Sequence, residues 1–347
     1  MKYFIPFFPL WSFLNLTLKL GGISFSKLPH WLLFFFRFIL FEPIRYLELI
    51  LFYRRITQHC LHEDPIFIIG HWRSGTTYLQ RLLSLDNQFI TPNLYSMVFA
   101  DHYMLTARWC IVPLNKIIQI LKLSYPLQRM KLDLRLPGEM DPALCAIGSH
   151  AAYTWGHLFP KKYQAWFKEH FDKNKQTCNL DDYTFLIKKL SYYSNNKRVI
   201  VKSPGDALRI PTIKKHFPNA AFIFIERNTT EVFLSSQYLW MLILNRYSFQ
   251  GIEKEKTIEN FHFTYPLIAM AISKEKHESK GVTIYLSDLQ NHPHECIKKI
   301  YNQLQLGTYS VPENLLQNIV RKPKQDQQNH TELTNELKSR YGQYYID

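Results

Sequence analysis

At 347 residues with a hydrophobic fraction of 46%, the chain has ample apolar material for a packed core, which excludes a disordered polypeptide. Its 42 Lys and Arg against 28 Asp and Glu leave a formal net charge of +14, a balance that favours an anionic partner: nucleic acid, anionic lipid or a phosphorylated small molecule. Cys60, Cys110, Cys145, Cys178 and Cys296 are widely spaced with no C-x-x-C pair, which argues against a zinc site or redox motif and for reduced thiols in a cytosolic protein.

Residues 1–53 are rich in Phe, Leu, Ile and Trp. The run Trp31-Leu32-Leu33-Phe34-Phe35-Phe36 is interrupted by Arg37, and Glu42, Pro43, Arg45 and Glu48 follow before Arg54 and Arg55. A spanning helix needs about 18 or more apolar residues with few or no charges, and this stretch fails that test. A signal peptide is also disfavoured: the positive start is only Lys2, Pro6 and Pro9 break the apolar run, and no small-x-small cleavage site follows. Aromatic and aliphatic residues interleaved with arginines predict helices that either lie in a membrane interface, making peripheral contact through residues 1–55, or form a buried layer over the core. The expected location is the cytoplasm, with the inner face of a membrane as the alternative.

The pattern changes near His62-Glu63-Asp64, so the expected division is an apolar helical extension over residues 1–62 and a catalytic domain over 63–347. Pro65-Ile66-Phe67-Ile68-Ile69 is a continuous apolar run ending at Gly70, the pattern of a strand buried on both faces of a parallel sheet. Tyr78, Leu79, Leu82 and Leu83 then repeat with helical spacing. Residues 100–190 read as mainly helical and are expected to form a cap that helps build the acceptor pocket. Further strands are predicted at Arg198–Val201, Ala221–Ile225 and Val282–Tyr285, separated by helices at Ile210–Phe217, Glu231–Leu244 and Pro293–Leu306. Alternating strands and helices imply an α/β fold: a P-loop-type central parallel sheet with helices on both faces and ligands at the strands' carboxyl ends.

Gly70-His71-Trp72-Arg73-Ser74-Gly75 has the glycine spacing of a Walker A loop, but Thr76-Thr77 follows where that motif requires Lys-[Ser/Thr]. A strand before and a helix after let successive backbone N–H groups bind an anion. Without the lysine that reaches the β- and γ-phosphates, the loop argues against a kinase or nucleotide hydrolase and for a donor with one 5′ phosphoryl-type group. No helix-turn-helix, zinc-finger or RNA-platform motif supports a nucleic-acid partner. A non-enzymatic basic membrane-binding protein is the remaining alternative.

At this loop the sequence resembles the sulfotransferases that use 3′-phosphoadenosine 5′-phosphosulfate (PAPS), whose 5′-phosphosulfate loop has a basic residue followed by Ser-Gly-Thr and Thr or Ser. The resemblance implies donor binding by Arg73, Ser74, Gly75, Thr76 and Thr77. A second segment, Glu226-Arg227-Asn228 through Ser235, is similar to the family's 3′-phosphate site, an arginine just past a strand and a serine eight residues on. It implies that Arg227 and Ser235 hold the 3′-phosphate. Lys202 in Val201-Lys202-Ser203-Pro204 matches the family lysine near the transferring sulfuryl group, while Pro204 stands where small-molecule sulfotransferases place a catalytic histidine. In the branch with an Arg-Ser-Gly-Thr-Thr loop a glutamate is the base, within a segment similar to Leu136-Pro137-Gly138-Glu139-Met140-Asp141-Pro142. Glu139 is therefore the expected general base, with Asp141 second, His71 as the competitor inside the loop and His150 a lesser option. No metal is required.

Three family features depart from the pattern. No Gly-rich basic loop appears near the carboxyl end, where Arg321-Lys322-Pro323-Lys324 is the nearest basic cluster; Leu286 stands where a tyrosine often lies near adenine, with Tyr285 beside it; and Asn228-Thr229-Thr230 forms a sequon beside Arg227. A glycan there would obstruct the donor, which favours the cytosol. The group sulfated is expected to be a hydroxyl or an amine, and the aromatic amino terminus points to a lipid, sterol or other amphiphilic alcohol as acceptor, with a carbohydrate as the alternative.

Overall fold

The computed structural model describes residues 2–125, 130–171, 180–309, 311 and 331–341. Five strands form a parallel sheet: β1 (Ile66–Ile69), β2 (Phe89–Ile90), β3 (Arg198–Lys202), β4 (Ala221–Glu226) and β5 (Gly281–Tyr285). Their spatial order is β2-β3-β1-β4-β5, so β1 is central, with β2 and β3 on one side of it and β4 and β5 on the other. Every residue of β1 and of β4 is buried, as continuous apolar runs demand when both faces of a sheet are covered. Ile68 pairs with Lys202 on one side and Ile69 with Phe224 on the other, which aligns the carboxyl ends of β1, β3 and β4, the edge where such sheets bind ligands.

On one face of the sheet Leu79, Leu82 and Leu83 of the helix Thr76–Leu83, together with Ile297 and Ile300 of Pro293–Leu304, join the β-strand isoleucines in one buried cluster. On the other, the Phe67 ring stacks on Phe222 at 5.8 Å and meets Phe217 at 6.3 Å. The sheet is thus covered on both sides, and the α/β architecture predicted from alternating strands and helices is the one observed.

The chain forms two compact units. One holds the whole sheet and comprises the described parts of His62–Thr91, Lys197–Tyr238 and His262–Asp347; the other comprises those of Met1–Leu61, Pro92–Asn196 and Leu239–Phe261. The second unit is mainly helical, and includes Phe8–Lys19, Leu28–Leu40, Glu42–Gln58, Tyr103–Ile120 and Asp181–Tyr193, with one short antiparallel pair, Ser124–Tyr125 and Met130–Lys131. Its centre is aromatic: Phe13 is fully buried, with ring neighbours Trp31 at 5.3 Å, Phe38 at 5.5 Å and Phe249 at 5.7 Å.

Arg37, Glu42, Arg45 and Glu48, which interrupt the apolar amino-terminal third, have defined partners. Arg45 binds Glu42 through Nε at 2.6 Å and donates to the Tyr3 carbonyl at 2.7 Å. Arg37 binds Asp101 at 2.7 Å. Lys189 pairs with Glu48 where both are almost wholly buried, and donates to the Ala100 carbonyl at 2.6 Å. Burial raises the Glu48 carboxyl above its usual value, an effect the Lys189 ammonium opposes. These helices therefore bury one face, while Leu18, Phe25, Leu33 and Leu40 stay exposed on others. Among the described residues no helix is long and apolar enough to cross a membrane.

Truncating only one member of the buried pair strands the other. Lys189→Met should cost about 3–5 kcal/mol in denaturant unfolding, and adding Glu48→Leu should restore most of it; equal losses in the single and double variants would show that the pair is not what the site requires.

Candidate active site

The loop after β1 is shaped by two positions with no room for a side chain. A Cβ on Gly70 would lie 2.7 Å from Ser74 Oγ and 2.8 Å from Ile225 Cγ2. Gly75 has φ +101°, and its Cβ would lie 2.5 Å from Leu286 Cδ1. Between them Arg73 adopts φ 66°, a left-handed conformation that non-glycine residues rarely take outside turns and functional sites. Ser74 closes the turn, its Oγ and N–H donating to the His71 carbonyl at 2.8 and 3.2 Å. The helix Thr76–Leu83 then begins with no side chain capping it, so its amino-terminal N–H groups and partial positive charge form an anion-binding end.

Three residues from two separate stretches of sequence, Arg73, Arg227 and Ser235, meet around this loop. Arg73 Nε donates to Ser235 Oγ at 2.9 Å, and Arg227 Nη1 donates to the Arg73 carbonyl at 3.1 Å. Arg227 also pairs with Glu231 at 2.7 Å, one helical turn on. Ser236, next to Ser235, donates to the Trp72 carbonyl at 2.8 Å. Lys202 ends β3 and is only 3% exposed; its strand partner Ile68 lies two residues before Gly70. Two guanidinium groups, a serine hydroxyl and a helix amino terminus are thus grouped in the sheet-bearing unit, a constellation able to hold a doubly phosphorylated ligand.

His71 is also here, but it is buried, its ring 4.1 Å from that of Tyr265. Burial drives its pKa down to about 3, and backbone contacts from Trp72 and Tyr265 offset this only in part. Such an imidazole is neutral near pH 7 and holds a captured proton poorly.

Glu139 lies in the helical unit. It is the N-cap residue of the helix Met140–Ala146, half-buried, and its Oε2 accepts a hydrogen bond from the Tyr153 hydroxyl. The preceding Gly138 is pressed against the chain, where a Cβ would sit 3.0 Å from the Asn93 carbonyl oxygen, and its N–H donates to Pro92 at 2.7 Å. The neighbouring carboxylate has a different fate. Asp141 is fully buried and accepts from Ala152 N at 2.8 Å, Thr154 N at 2.9 Å and Thr154 Oγ1 at 2.8 Å, fixing the start of the helix Tyr153–Leu158. His150 stacks on Trp166 at 5.7 Å.

The Tyr153 partner had no signal in sequence, and neither did the Tyr265 ring against His71. Leu286 packs on Gly75, while Tyr285 is 47% exposed. Asn228 caps the helix Thr229–Tyr247, its Oδ1 accepting from Glu231 N at 3.1 Å. Arg321-Lys322-Pro323-Lys324 lies outside the described residues.

The model of the sulfotransferase family matches residues 65–310. Two relatives, omega-hydroxy-beta-dihydromenaquinone-9 sulfotransferase Stf3 of Mycobacterium bovis and its counterpart from Mycobacterium tuberculosis, are each 26% identical over 272 residues, covering 75% of this chain and 67% of theirs. Sulfotransferase STF1 from Mycobacterium tuberculosis H37Rv has the same fold with TM-score 0.69 at 12% identity, over 98% of this chain and 93% of that one. STF9 from Mycobacterium avium matches with TM-score 0.64 at 16% identity, over 88% and 86%. With the family model spanning most of its length, from the strand that leads into the Gly70–Gly75 loop to beyond β5, this chain belongs to the sulfotransferase family and is a sulfotransferase.

Proposed function

We propose that the donor is PAPS and that the acceptor is the hydroxyl of a lipid-like alcohol. The observation that carries the donor assignment is the Arg73–Ser235 hydrogen bond with Arg227 on the Arg73 carbonyl. A 5′-phosphosulfate in the Gly70–Gly75 loop and a 3′-phosphate on Arg227 and Ser235 would satisfy both halves of that cluster, whereas a nucleoside triphosphate would lack the Walker lysine. For the acceptor, the two Stf3 relatives are sulfotransferases of an omega-hydroxylated menaquinone derivative. Peripheral membrane contact by the helical unit fits such a substrate, since amino-terminal residues including Phe25 and Leu40 are exposed.

The chemistry is a one-step in-line displacement. The acceptor oxygen forms a bond to sulfur as the bond from sulfur to the 5′-phosphate oxygen breaks, and adenosine 3′,5′-bisphosphate leaves. The acceptor's proton passes to Glu139, which becomes a neutral carboxylic acid. Glu139 is preferred because Asp141 is committed to the Tyr153–Leu158 helix and burial makes His71 too weak a base to hold the acceptor's proton. Arg73 and Lys202 balance charge developing on the transferring group and the departing phosphate, with Thr76 and Thr77 adding hydrogen bonds.

Arg73→Ala should lower kcat by about 100- to 1000-fold, the cost of one donor aimed at developing charge; unchanged turnover would remove Arg73 from the chemistry. Adenosine 3′,5′-bisphosphate should raise Tm where ATP with magnesium does not, and Arg227→Ala should weaken that ligand's Kd by about tenfold or more. Equal stabilisation by both nucleotides would favour a kinase-like site. Glu139→Gln should reduce kcat by about 100-fold or more with bisphosphate affinity retained. Because burial drives the His71 pKa down to about 3, His71→Asn should leave the pH dependence of kcat/KM between about pH 5 and 8 unchanged; a dependence that changed there would make His71 the base.

A further inference from the structure

The helix Tyr103–Ile120 has two contrasting faces. It buries Tyr103, Ala107 and Asn115. On the opposite side Trp109, Val112, Ile117 and Ile120 recur with helical spacing and are 73%, 48%, 49% and 77% exposed. Leu121 and Leu123 extend this strip beyond the last turn at 61% and 48% exposure. Large apolar side chains grouped on one exposed helix face mark a site of interaction.

Charge identifies the occupant of that site. From His102 to Leu132 the chain has no Asp or Glu, and the strip is accompanied by the exposed cations Arg108, Lys116 and Lys122. The Arg108 guanidinium lies 5.6 Å from the Trp109 ring. At the helix end Leu123 N–H bonds the Ile118 carbonyl at 3.0 Å and Lys122 N–H the Gln119 carbonyl at 3.1 Å, the paired bonds of a Schellman cap. Its left-handed position, usually glycine, is filled by Lys122 at φ 49°, so a cation is kept there despite the conformational cost. Exposed Trp and Ile between long basic side chains suit the boundary between acyl chains and anionic headgroups, where the rings sink and the cations reach phosphate. A second copy of the chain fits less well, since a two-fold contact would bring the same unneutralised cations together.

We propose that this face of Tyr103–Ile120, with Leu121 to Leu123, docks on an anionic lipid bilayer. The proposal rests on the reading of a lipid-like acceptor and membrane contact, and moves the principal contact from residues 1–55 to this helix. The full chain should co-sediment with vesicles of phosphatidylglycerol and phosphatidylcholine, and bind pure phosphatidylcholine vesicles far less. Trp109→Ser/Ile120→Ser should lower the partition coefficient on mixed vesicles by about tenfold or more. Lys116→Glu/Lys122→Glu should lower it by about fivefold or more per residue on the anionic vesicles, with little effect on the neutral ones. Both should keep the wild-type Tm shift with adenosine 3′,5′-bisphosphate, which shows that they are folded and separates this outcome from failure of the donor assignment. Wild-type partitioning in these variants, with loss in Phe25→Ser, would overturn the proposal in favour of the amino terminus. No vesicle binding, with a dimer in solution that Trp109→Ser/Ile120→Ser dissociates, would overturn it in favour of a second copy.

Discussion

The turn from β1 into its following helix depends on two places where no Cβ fits. At Gly70 the obstruction comes from within the loop and from β4; at Gly75 it comes from Leu286, just past β5. The loop is therefore fixed by contacts with strands on one side of β1, and the same closeness lets the segment after β4 reach it. Arg227 bonds the loop's backbone and Ser235 the side chain of Arg73. Removing the glycines would alter every partner in that set, which is why their spacing carries more information than the identity of most residues between them.

Leu286 shows how a departure from a family pattern acquires a physical role. Where a tyrosine would often lie near adenine, the leucine fills the space over Gly75 and is 8% exposed. It serves the packing of the phosphate loop and joins the buried cluster shared with Leu79 and Ile225. The neighbouring Tyr285, on the other face of its strand end, remains exposed.

Features set by short-range rules were legible in sequence. The strand before Gly70, the helix after it and the alternation of later elements follow from run length and periodicity. The two-residue strand Phe89–Ile90 was not, because it exists only through pairing with Arg198 and Val199. Long-range partners were equally hidden. Asp141 reads like a second carboxylate in a Pro/Gly-bounded loop, yet its acceptors are consumed by backbone N–H groups of Ala152 and Thr154. His71 reads like an imidazole suited to proton transfer near neutral pH, yet Tyr265, far along the chain, covers it. Local sequence states which groups are available; burial decides what they do.

The amino-terminal third sharpens the same point, because its two sequence readings are not exclusive. An amphipathic helix that buries one face of Phe, Trp and paired charge still has another, and here Phe13 and Trp31 pack inward while Leu18 and Leu33 face out. Arg37, Glu42, Arg45 and Glu48, which break up the apolar run and argue against a spanning segment, are the residues with internal partners. Had they been solvated ends of a lipid-facing stripe they would have stayed exposed. Charges within the apolar run are thus part of the helical unit's interior, whereas the cations on Tyr103–Ile120 lie on its surface. Exposure, more than composition, tells which side chains of a helix serve the interior and which are left to meet solvent or lipid.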